Sequence, residues 1–308
     1  MCCLFGIIDY GGKLSAKQKN RILSTLSTAC EARGIDASGI AYNAGGGLRI
    51  YKRPLSAHLM RFHVPGNARV IMGHTRMTTQ GSEKDNCNNH PFLGRAGGKN
   101  FALAHNGVLH NDRTLRRTLK LPRTKIETDS YIAVQLIEQK RALTWDSLKN
   151  MAEQVEGSFA FTVLDEENSL WFVKGDSPLC LYHYPQTGLY LYASTQAILE
   201  GALKALRLDL EKPTHVELLS GDLLRIDARG RMETARFDDS KLWRQRYWSP
   251  WYFGCAEAVS RSPEKEYIEQ LKAVASALGF EPGTIEILLE EGWTTDEIED
   301  ALYCYKSV

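Results

Sequence analysis

Several features that define whole classes of protein are missing from this chain of 308 residues. No apolar run reaches the roughly 20 residues of a membrane-spanning helix, and the N-terminus lacks the basic and apolar regions of a signal peptide. The net charge of +1 supplies no overall field for a nucleic-acid or membrane partner. The 7 cysteines include no C-x-x-C pair, which disfavours zinc and thioredoxin-like sites. We therefore expect a cytoplasmic protein with reduced thiols, no metal and no cofactor.

Short β-like runs fill the chain as far as about residue 240, and helical patterns are fewer. The run CLFGIID is the first, and residues 39–53 have the pattern of a hairpin with Gly45, Gly46 and Gly47 in its turn. Later runs flank the turn signals DEEN, PQTG and ARG, a pattern typical of antiparallel meanders. Helices are predicted after Ser15, an N-cap, and over TDSYIAVQLIEQ. This mixture predicts an α+β layered fold.

The last part of the chain differs in composition from the rest. Three of the 6 Trp residues fall within LWRQRYWSPWYFG. Helix-start signals follow at Ser262 and Pro263, and at Thr294 with Glu297 in capping-box spacing. We predict a body over residues 2–240 and, over residues 241–308, an aromatic linker with a small helical unit.

A cysteine pair lies at the start of the sequence, in MCCLFG. If Met1 is removed, Cys2 carries both a thiol and a free α-amino group, which titrates near 7.7–8.0 and can take the thiol proton. Cys3 cannot use this arrangement because its nitrogen is an amide, and in a strand its side chain points to the opposite face. The alternative is that both cysteines are packing residues of a first strand.

Four further stretches place polar residues at the ends of predicted elements, where functional sites are usually built. They are RGIDASGIAY, GHTRMTTQG, AHNGVLHN and ETDSYIAVQLI. Each stretch has a purely structural alternative. Arg76 can pair with any surface carboxylate, Asn106 and Gly107 form a common hairpin-turn signal, and Asp129 can be an N-terminal helix charge.

Together and in this order, the five motifs resemble the class II glutamine amidotransferases, which are N-terminal nucleophile hydrolases. The resemblance covers about residues 2–199 and implies a four-layer αββα sandwich, followed here by a small helical appendix. It implies that Cys2, activated by its own α-amino group, attacks the side-chain amide of glutamine. The products would be a thioester and ammonia, and then glutamate.

The resemblance also assigns roles to residues of the other motifs. Arg76 matches the arginine that binds the substrate α-carboxylate, and Asp129 matches the carboxylate that binds the α-ammonium. Thr79 matches a neighbouring substrate contact. Asn106 and Gly107 match the oxyanion hole, through a side-chain amide and a backbone N–H.

A further match and three departures from the family pattern concern residues near the site. Arg33 in RGIDASG matches an arginine that organises the site, although this motif inverts the usual Ser-Ala order. Cys3 stands where the family usually has Gly, and Gln80 stands where its best-known members often have His. None of these departures removes a catalytic group.

Residues 241–308 have no counterpart in the resemblance. They are too few for a sugar-phosphate isomerase or phosphoribosyltransferase domain, so we expect a stand-alone glutaminase whose ammonia passes to a protein partner. Either this unit docks that partner, or its aromatic linker anchors it on the body. Two alternatives stay open: an amidase acting on another γ-glutamyl compound, and a glutamine-binding regulatory module with little turnover. The basic residues Arg113, Arg116, Arg117 and Lys120 share one helix face, which we interpret as solvated and not as a nucleic-acid site.

Overall fold

The computed structural model of the chain describes residues 2–242, 268–269, 271–272, 274–276, 279–281 and 283–305. The chain divides into two units, Met1–Leu242 and Trp243–Val308. The predicted aromatic linker, and the predicted helix start at Ser262 and Pro263, lie outside the described residues.

Within residues 2–242 the first unit has thirteen β-strands and five α-helices. The strands are β1 (Cys3–Asp9), β2 (Ala37–Ala44), β3 (Gly47–Arg53), β4 (Val70–Arg76), β5 (Phe92–Ala96), β6 (Lys99–Leu109), β7 (Gly157–Asp165), β8 (Leu170–Lys174), β9 (Cys180–Tyr184), β10 (Leu189–Ala193), β11 (Thr214–Val216), β12 (Asp222–Ile226) and β13 (Met232–Arg236). The helices are α1 (Ala16–Ala29), α2 (Asp112–Thr118), α3 (Tyr131–Gln139), α4 (Trp145–Gln154) and α5 (Gln196–Leu206).

The strands form two antiparallel sheets that lie face to face between two helical layers. The seven-stranded sheet has the order β11-β9-β10-β1-β4-β2-β3, and the six-stranded sheet has the order β13-β12-β8-β7-β6-β5. One core joins α1 and α5 to the seven-stranded sheet, a second joins α3 and α4 to the six-stranded sheet, and a third lies between the sheets. This confirms the predicted α+β class and the four-layer αββα sandwich.

Strand β1 is apolar on both faces because helices cover one face and the six-stranded sheet covers the other. Cys3, Phe5 and Ile7 pack in the core that contains α1 and α5, whereas Leu4 and Ile8 pack in the core between the sheets. Side chains alternate along a strand. The same alternation, continued back by one residue, places Cys2 on the side of the six-stranded sheet, opposite to Cys3.

Several local predictions are confirmed by the described elements. The β2–β3 hairpin turns at Gly45 and Gly46, whose φ angles are +60° and +79°, and Ala44 pairs with Gly47. Gly47 is therefore the first residue of β3 and does not belong to the turn. Ser15 caps α1 in a reciprocal capping box with Gln18. The signals DEEN, PQTG and ARG connect β7 to β8, β9 to β10 and β12 to β13.

One interpretation was wrong and several elements were not foreseen. Asn106 and Gly107 lie inside β6 and pair with Ala160 and Phe159, so they are not a hairpin turn. The sequence patterns did not single out β5, β11, α4 or α5. Helix α4 begins with a capping box of Thr144 and Ser147, a pair that lacks the usual Glu or Gln at the third position.

The described part of the second unit contains α6 (Thr284–Glu290) and α7 (Thr295–Tyr305). The predicted capping box is confirmed, since Thr294 N donates to Glu297 Oε2 at 2.8 Å and Glu297 N donates to Thr294 Oγ1 at 3.3 Å. Ile298 and Leu302 on one face of α7 are buried. Across the described residues, no helix combines the length and the apolar character that crossing a bilayer requires.

Candidate active site

The predicted site residues lie at neighbouring strand ends of the first unit. Cys2 precedes β1 and Arg76 ends β4, and these two ends are adjacent because Cys3 pairs with Thr75 in the antiparallel register. Asp129 lies just ahead of α3. The charges of Arg76 and Asp129 are both close enough to influence the Cys2 thiol. The structure therefore brings together a thiol, a guanidinium and a carboxylate that are far apart in sequence.

The Cys2 thiol is partly buried and held by backbone. Its Sγ donates to the Met77 carbonyl at 3.5 Å, and its own carbonyl accepts from Arg33 Nε at 3.2 Å. Burial raises the pKa of the Cys2 thiol, and the nearby charge of Arg76 acts in the opposite direction. A carbonyl oxygen accepts a hydrogen bond but does not remove a proton at neutral pH. The thiol consequently needs a separate base to become a nucleophile.

Residues 33–36 fix the backbone around Arg76. The Asp36 N–H donates to the Arg76 carbonyl at 2.9 Å, and Asp36 Oδ2 accepts from the Thr78 N–H at 2.6 Å. Gly34 lies so close to this backbone that an added Cβ would be 2.6 Å from the Arg76 carbonyl carbon. The RGID segment therefore contacts the backbone of Cys2 and of Arg76.

The Arg76 side chain is buried, with 3% of its surface exposed. Its Nη1 donates to Asn89 Oδ1 at 2.7 Å, and its Nη2 donates to the carbonyls of Gln80 and Gly81 at 2.7 and 2.9 Å. A guanidinium has five N–H donors, so among the described residues these three bonds leave at least two N–H groups for a ligand. Thr79, the predicted neighbouring contact, is exposed on the same loop.

The Asp129 carboxylate is also buried and is fixed by β6. Its Oδ2 accepts from the Leu109 N–H at 2.6 Å, and its Oδ1 accepts from Ser130 Oγ at 3.4 Å. Ser130 Oγ lies 2.8 Å from Nδ1 of His105. Because the carboxylate bonds to strand β6, Asp129 is more than a charge at the start of α3.

Asn106 and Gly107 face the site from β6. Asn106 Nδ2 donates to Ser194 Oγ at 3.4 Å, and the same hydroxyl accepts from the Leu4 N–H at 2.8 Å. Gly107 has a φ of +137°, and a Cβ there would lie 2.0 Å from the Ser158 carbonyl oxygen, so a side chain is excluded. Ser194 links β1 to Asn106 and was missed in the sequence, because its position depends on the pairing of β1 with β10.

Three buried imidazoles lie near this site. His74 Nε2 is 2.9 Å from the His105 carbonyl oxygen, and the His74 and His90 rings are 4.1 Å apart. Burial lowers the pKa of His74 to about 3, and it also lowers the pKa of His90 and of His105. All three are therefore uncharged at neutral pH. Within the described residues, no cluster of three or more His, Cys, Asp or Glu side chains is arranged to bind a metal.

Comparison with known proteins gives matches to glutamine-using enzymes. Residues 74–200 match the family described as glutamine amidotransferase domain. A glutamine–fructose-6-phosphate aminotransferase of Bacillus anthracis is 34% identical over 182 residues, which are 56% of this chain and 29% of that protein. The corresponding enzyme of Sulfurisphaera tokodaii is 32% identical over 190 residues, or 59% of this chain and 31% of that protein. The matched segment thus spans less than a third of these relatives.

Solved structures support the same fold. Glutamine phosphoribosylpyrophosphate amidotransferase from B. subtilis, complexed with ADP and GMP, superposes with a TM-score of 0.59 at 23% identity. This superposition covers 77% of this chain and 49% of that one. A second structure, titled as the allosteric regulatory enzyme of purine biosynthesis, gives a TM-score of 0.60 at 22% identity over the same shares.

Proposed function

We propose that this chain, which carries a class II glutamine amidotransferase domain, hydrolyses the side-chain amide of glutamine with Cys2 as the nucleophile. The observation that carries the proposal is the convergence of the Cys2 thiol, the Arg76 guanidinium and the Asp129 carboxylate. Asn106 and Gly107 lie on β6 of the opposite sheet.

Removal of Met1 would supply the base that the thiol needs. The α-amino group of a new N-terminal Cys2 has a pKa near 7.7–8.0, so roughly 10–17% of it is unprotonated at pH 7 and can act as a base. It is attached to the same residue as the thiol and can take its proton directly or through one water. Because burial raises the pKa of the thiol, the proton transfer is most favourable once the substrate is in place and the thiolate is consumed by attack.

The buried charges would select a free α-amino acid. Arg76 offers its remaining N–H groups to the α-carboxylate, and Asp129 accepts from the α-ammonium. Thr79 lies on the loop beside this head group. With both charges of the head bound, the side-chain amide is held against Cys2, and this remote binding energy is used for orientation.

The reaction then proceeds in two balanced steps. The thiolate attacks the amide carbon, and the oxyanion receives hydrogen bonds from Asn106 Nδ2 and the Gly107 N–H, each worth about 3–4 kcal/mol in sites of this type. The C–N bond breaks, and ammonia leaves with the proton that the Cys2 amine had taken. Water, deprotonated by the same amine, attacks the thioester and releases glutamate and the free thiol.

The ammonia that the reaction releases needs an acceptor. We propose that a separate protein accepts it and docks on the C-terminal unit. A chain ending after Leu242 would test this, since Leu242 is buried in the core of the first unit and should be kept. We expect this truncated chain to retain its glutaminase activity and its melting temperature, and to lose the partner. Loss of activity would instead make residues 243–308 a part of the catalytic fold.

The two alternatives use the same residues. Arg76 and Asp129 require only an α-amino-acid head, so another γ-glutamyl compound would also fit them. A regulatory module with little turnover would bind glutamine without needing the free amine of Cys2. Retention of Met1 would favour that second alternative.

The deciding experiment combines a substrate panel with intact-mass measurement. Release of ammonia and glutamate is measured from glutamine, asparagine and γ-glutamyl amides. We expect glutamine to be the best substrate, a mass without Met1, loss of turnover in Cys2→Ala, and retention of most turnover in Cys3→Ala. Diazo-oxo-norleucine should label the N-terminal peptide. Activity that survives in Cys2→Ala, or labelling elsewhere, would overturn the proposal.

A further inference from the structure

We infer that Asn89 is a positioning residue, whose side-chain carbonyl holds the Arg76 guanidinium in the orientation that receives the α-carboxylate of the substrate. The inference rests on the proposed function and adds a residue to it. Asn89 lies in the loop between β4 and β5 and carries no charge of its own.

Asn89 is completely buried, and its neighbours fix the orientation of its amide. Its Oδ1 accepts from Arg76 Nη1 at 2.7 Å, while its Nδ2 donates to the Glu83 carbonyl at 2.8 Å and to Asn86 Oδ1 at 3.3 Å. A flipped amide would set an NH2 group against the guanidinium and an oxygen against two acceptors. The carbonyl oxygen must therefore face Arg76.

The Asn89 backbone is anchored as firmly as its side chain. Lys52 Nζ donates to the Asn89 carbonyl at 2.5 Å and lies 5.1 Å from the centre of the Phe92 ring. The Asn89 N–H donates to the Asn86 carbonyl at 3.3 Å. A side chain that is fixed at both its amide and its backbone is a rigid support, and an arginine has four rotatable bonds that need such a support.

The other two asparagines of this loop have a different task. Asn86 Nδ2 donates to the Lys52 carbonyl at 3.1 Å, and Asn88 bonds to the Ser82 carbonyl at 3.1 Å and to the Glu127 N–H at 2.9 Å. These bonds fasten one backbone segment to another. Of the three, Asn89 is the residue whose amide bonds to a charge of the site.

The position of this contact determines which kinetic constant should change. Arg76 would bind the head of glutamine, away from the reacting amide, so loss of its support weakens substrate binding and transition-state binding alike. A hydrogen bond to a charged group corresponds to roughly a 10- to 100-fold change in binding. The carbonyls of Gln80 and Gly81 would still hold Nη2, and the thiol and the oxyanion donors are not touched.

The test compares two substrates in three variants of the full chain. In Asn89→Ala we expect the KM for glutamine to rise about 10- to 100-fold with kcat within about threefold. For 4-aminobutanamide, which lacks the α-carboxylate, kcat/KM should be unchanged. Asn89→Asp keeps the acceptor for Arg76 but adds a negative charge and sets its second oxygen against the Glu83 carbonyl and Asn86 Oδ1, so it should impair glutamine at least as much as Asn89→Ala. Asn100→Ala is the matched control, because it removes one bond to Glu166 far from the site and should behave as wild type.

Two results would overturn the inference. An unchanged KM for glutamine in Asn89→Ala would remove Asn89 from the positioning role, and an equal loss on both substrates would make its role merely structural. If the wild-type chain does not hydrolyse glutamine, the proposed function fails first. Calorimetric titration of glutamine into wild type and Asn89→Ala then decides the inference separately, and equal affinities or no binding to wild type would overturn it.

Discussion

Buried charges lie at both ends of strand β1, and the two ends hold them differently. At the last residue, Asp9 forms an ion pair of 3.0 Å with Lys19, and both side chains are fully buried. At the other end, Arg76 and Asp129 are nearly as buried, with 3% and 4% of their surfaces exposed. Each is bonded to uncharged groups, and among the ion pairs of the described residues none joins these two.

Under the proposed function, the difference separates a structural ion pair from a pair of charges that bind substrate. Lys19 also donates to the carbonyls of Gly66 and Ala68 at 2.7 Å each, so its charge is fully satisfied within the fold. A buried charge that is paired in this way offers nothing to a ligand. Arg76 and Asp129 are buried and form no ion pair with each other, so under the proposed function their opposite charges would be those of the α-amino acid.

Removing the buried ion pair between Asp9 and Lys19 should give the largest loss of stability. Lys19→Met leaves the Asp9 carboxylate buried without its partner, and we expect the free energy of unfolding to fall by about 3–5 kcal/mol. Below its unfolding temperature the variant should keep kcat/KM for glutamine within about twofold. Chemical denaturation measures the loss. Lys17→Met, an exposed change on the same helix, is the control, and a Lys19→Met protein as stable as this control would contradict the comparison.

Removing the charge of Asp129 should lower activity and leave stability unchanged. Asp129→Asn keeps an oxygen that can accept from the Leu109 N–H but removes the charge that meets the α-ammonium. We expect kcat/KM for glutamine to fall about 10²- to 10³-fold, with the free energy of unfolding unchanged or slightly increased. Steady-state kinetics and denaturation are measured on the same preparation. A loss of stability equal to that of Lys19→Met would mean that Asp129 is structural.

The three buried histidines near the site are polar groups that the fold keeps uncharged, so we expect low pH to destabilise the folded chain. His74, His90 and His105 have lowered pKa values in the folded chain, so the unfolded chain binds more protons. Above the ordinary histidine pKa of about 6.5, these histidines do not lower the free energy of unfolding. As pH falls below that value, the free energy of unfolding decreases by about 1.4 kcal/mol per pH unit for each histidine. For His74 this window extends down to about pH 3.

Urea unfolding between about pH 5 and pH 7.5 measures this slope. His74→Gln should reduce the slope below about pH 6 by roughly 1.4 kcal/mol per pH unit, since one fewer proton is taken up on unfolding. His63→Gln, at an exposed position, should leave it unchanged. A slope that is the same in both variants would show that His74 is not excluded from protonation in the fold.

The smallest effect is expected at Thr79, which is exposed on the loop that follows Arg76. Thr79→Ala removes one hydroxyl from the loop beside Arg76, so the KM for glutamine should rise about two- to tenfold with kcat and stability unchanged. Initial-rate kinetics with glutamine and 4-aminobutanamide are sufficient. A KM that does not change would remove Thr79 from the substrate contacts.

Local sequence patterns predicted those parts of the fold that depend on neighbouring residues. The N-cap at Ser15, the Gly45 and Gly46 turn and the capping box at Thr294 each use residues within four positions of one another. Helix α5 was missed although Thr195 caps it and its buried residues Leu199, Ala202 and Leu206 recur at helical spacing. One interpretation took Asn106 and Gly107 for a hairpin turn, because this dipeptide is common in turns. Here the same dipeptide lies in the interior of strand β6.

The predicted chemistry of the site came from motif order, whereas its supporting residues could not be predicted. Cys2, Arg76 and Asp129 were identified from their motifs, and the fold brings them together. Ser194 and Asn89 were missed because their bonds to Asn106 and Arg76 exist only after β1, β6 and β10 have assembled and the loop before β5 has closed. No pattern within a short window carries that information.

The position of β1 between β4 and β10 also sets a time at which the site can form. Leu4 binds Ser194 across 190 residues of chain, and β1 pairs with β10 over Phe5 to Asp9. A ribosome makes Cys2 and β1 first and β10 about 180 residues later, so one edge of β1 is unpaired until then. The Cys2 thiol consequently reaches its folded surroundings only after β10 has emerged, so under the proposed function the appearance of activity would report a completed fold.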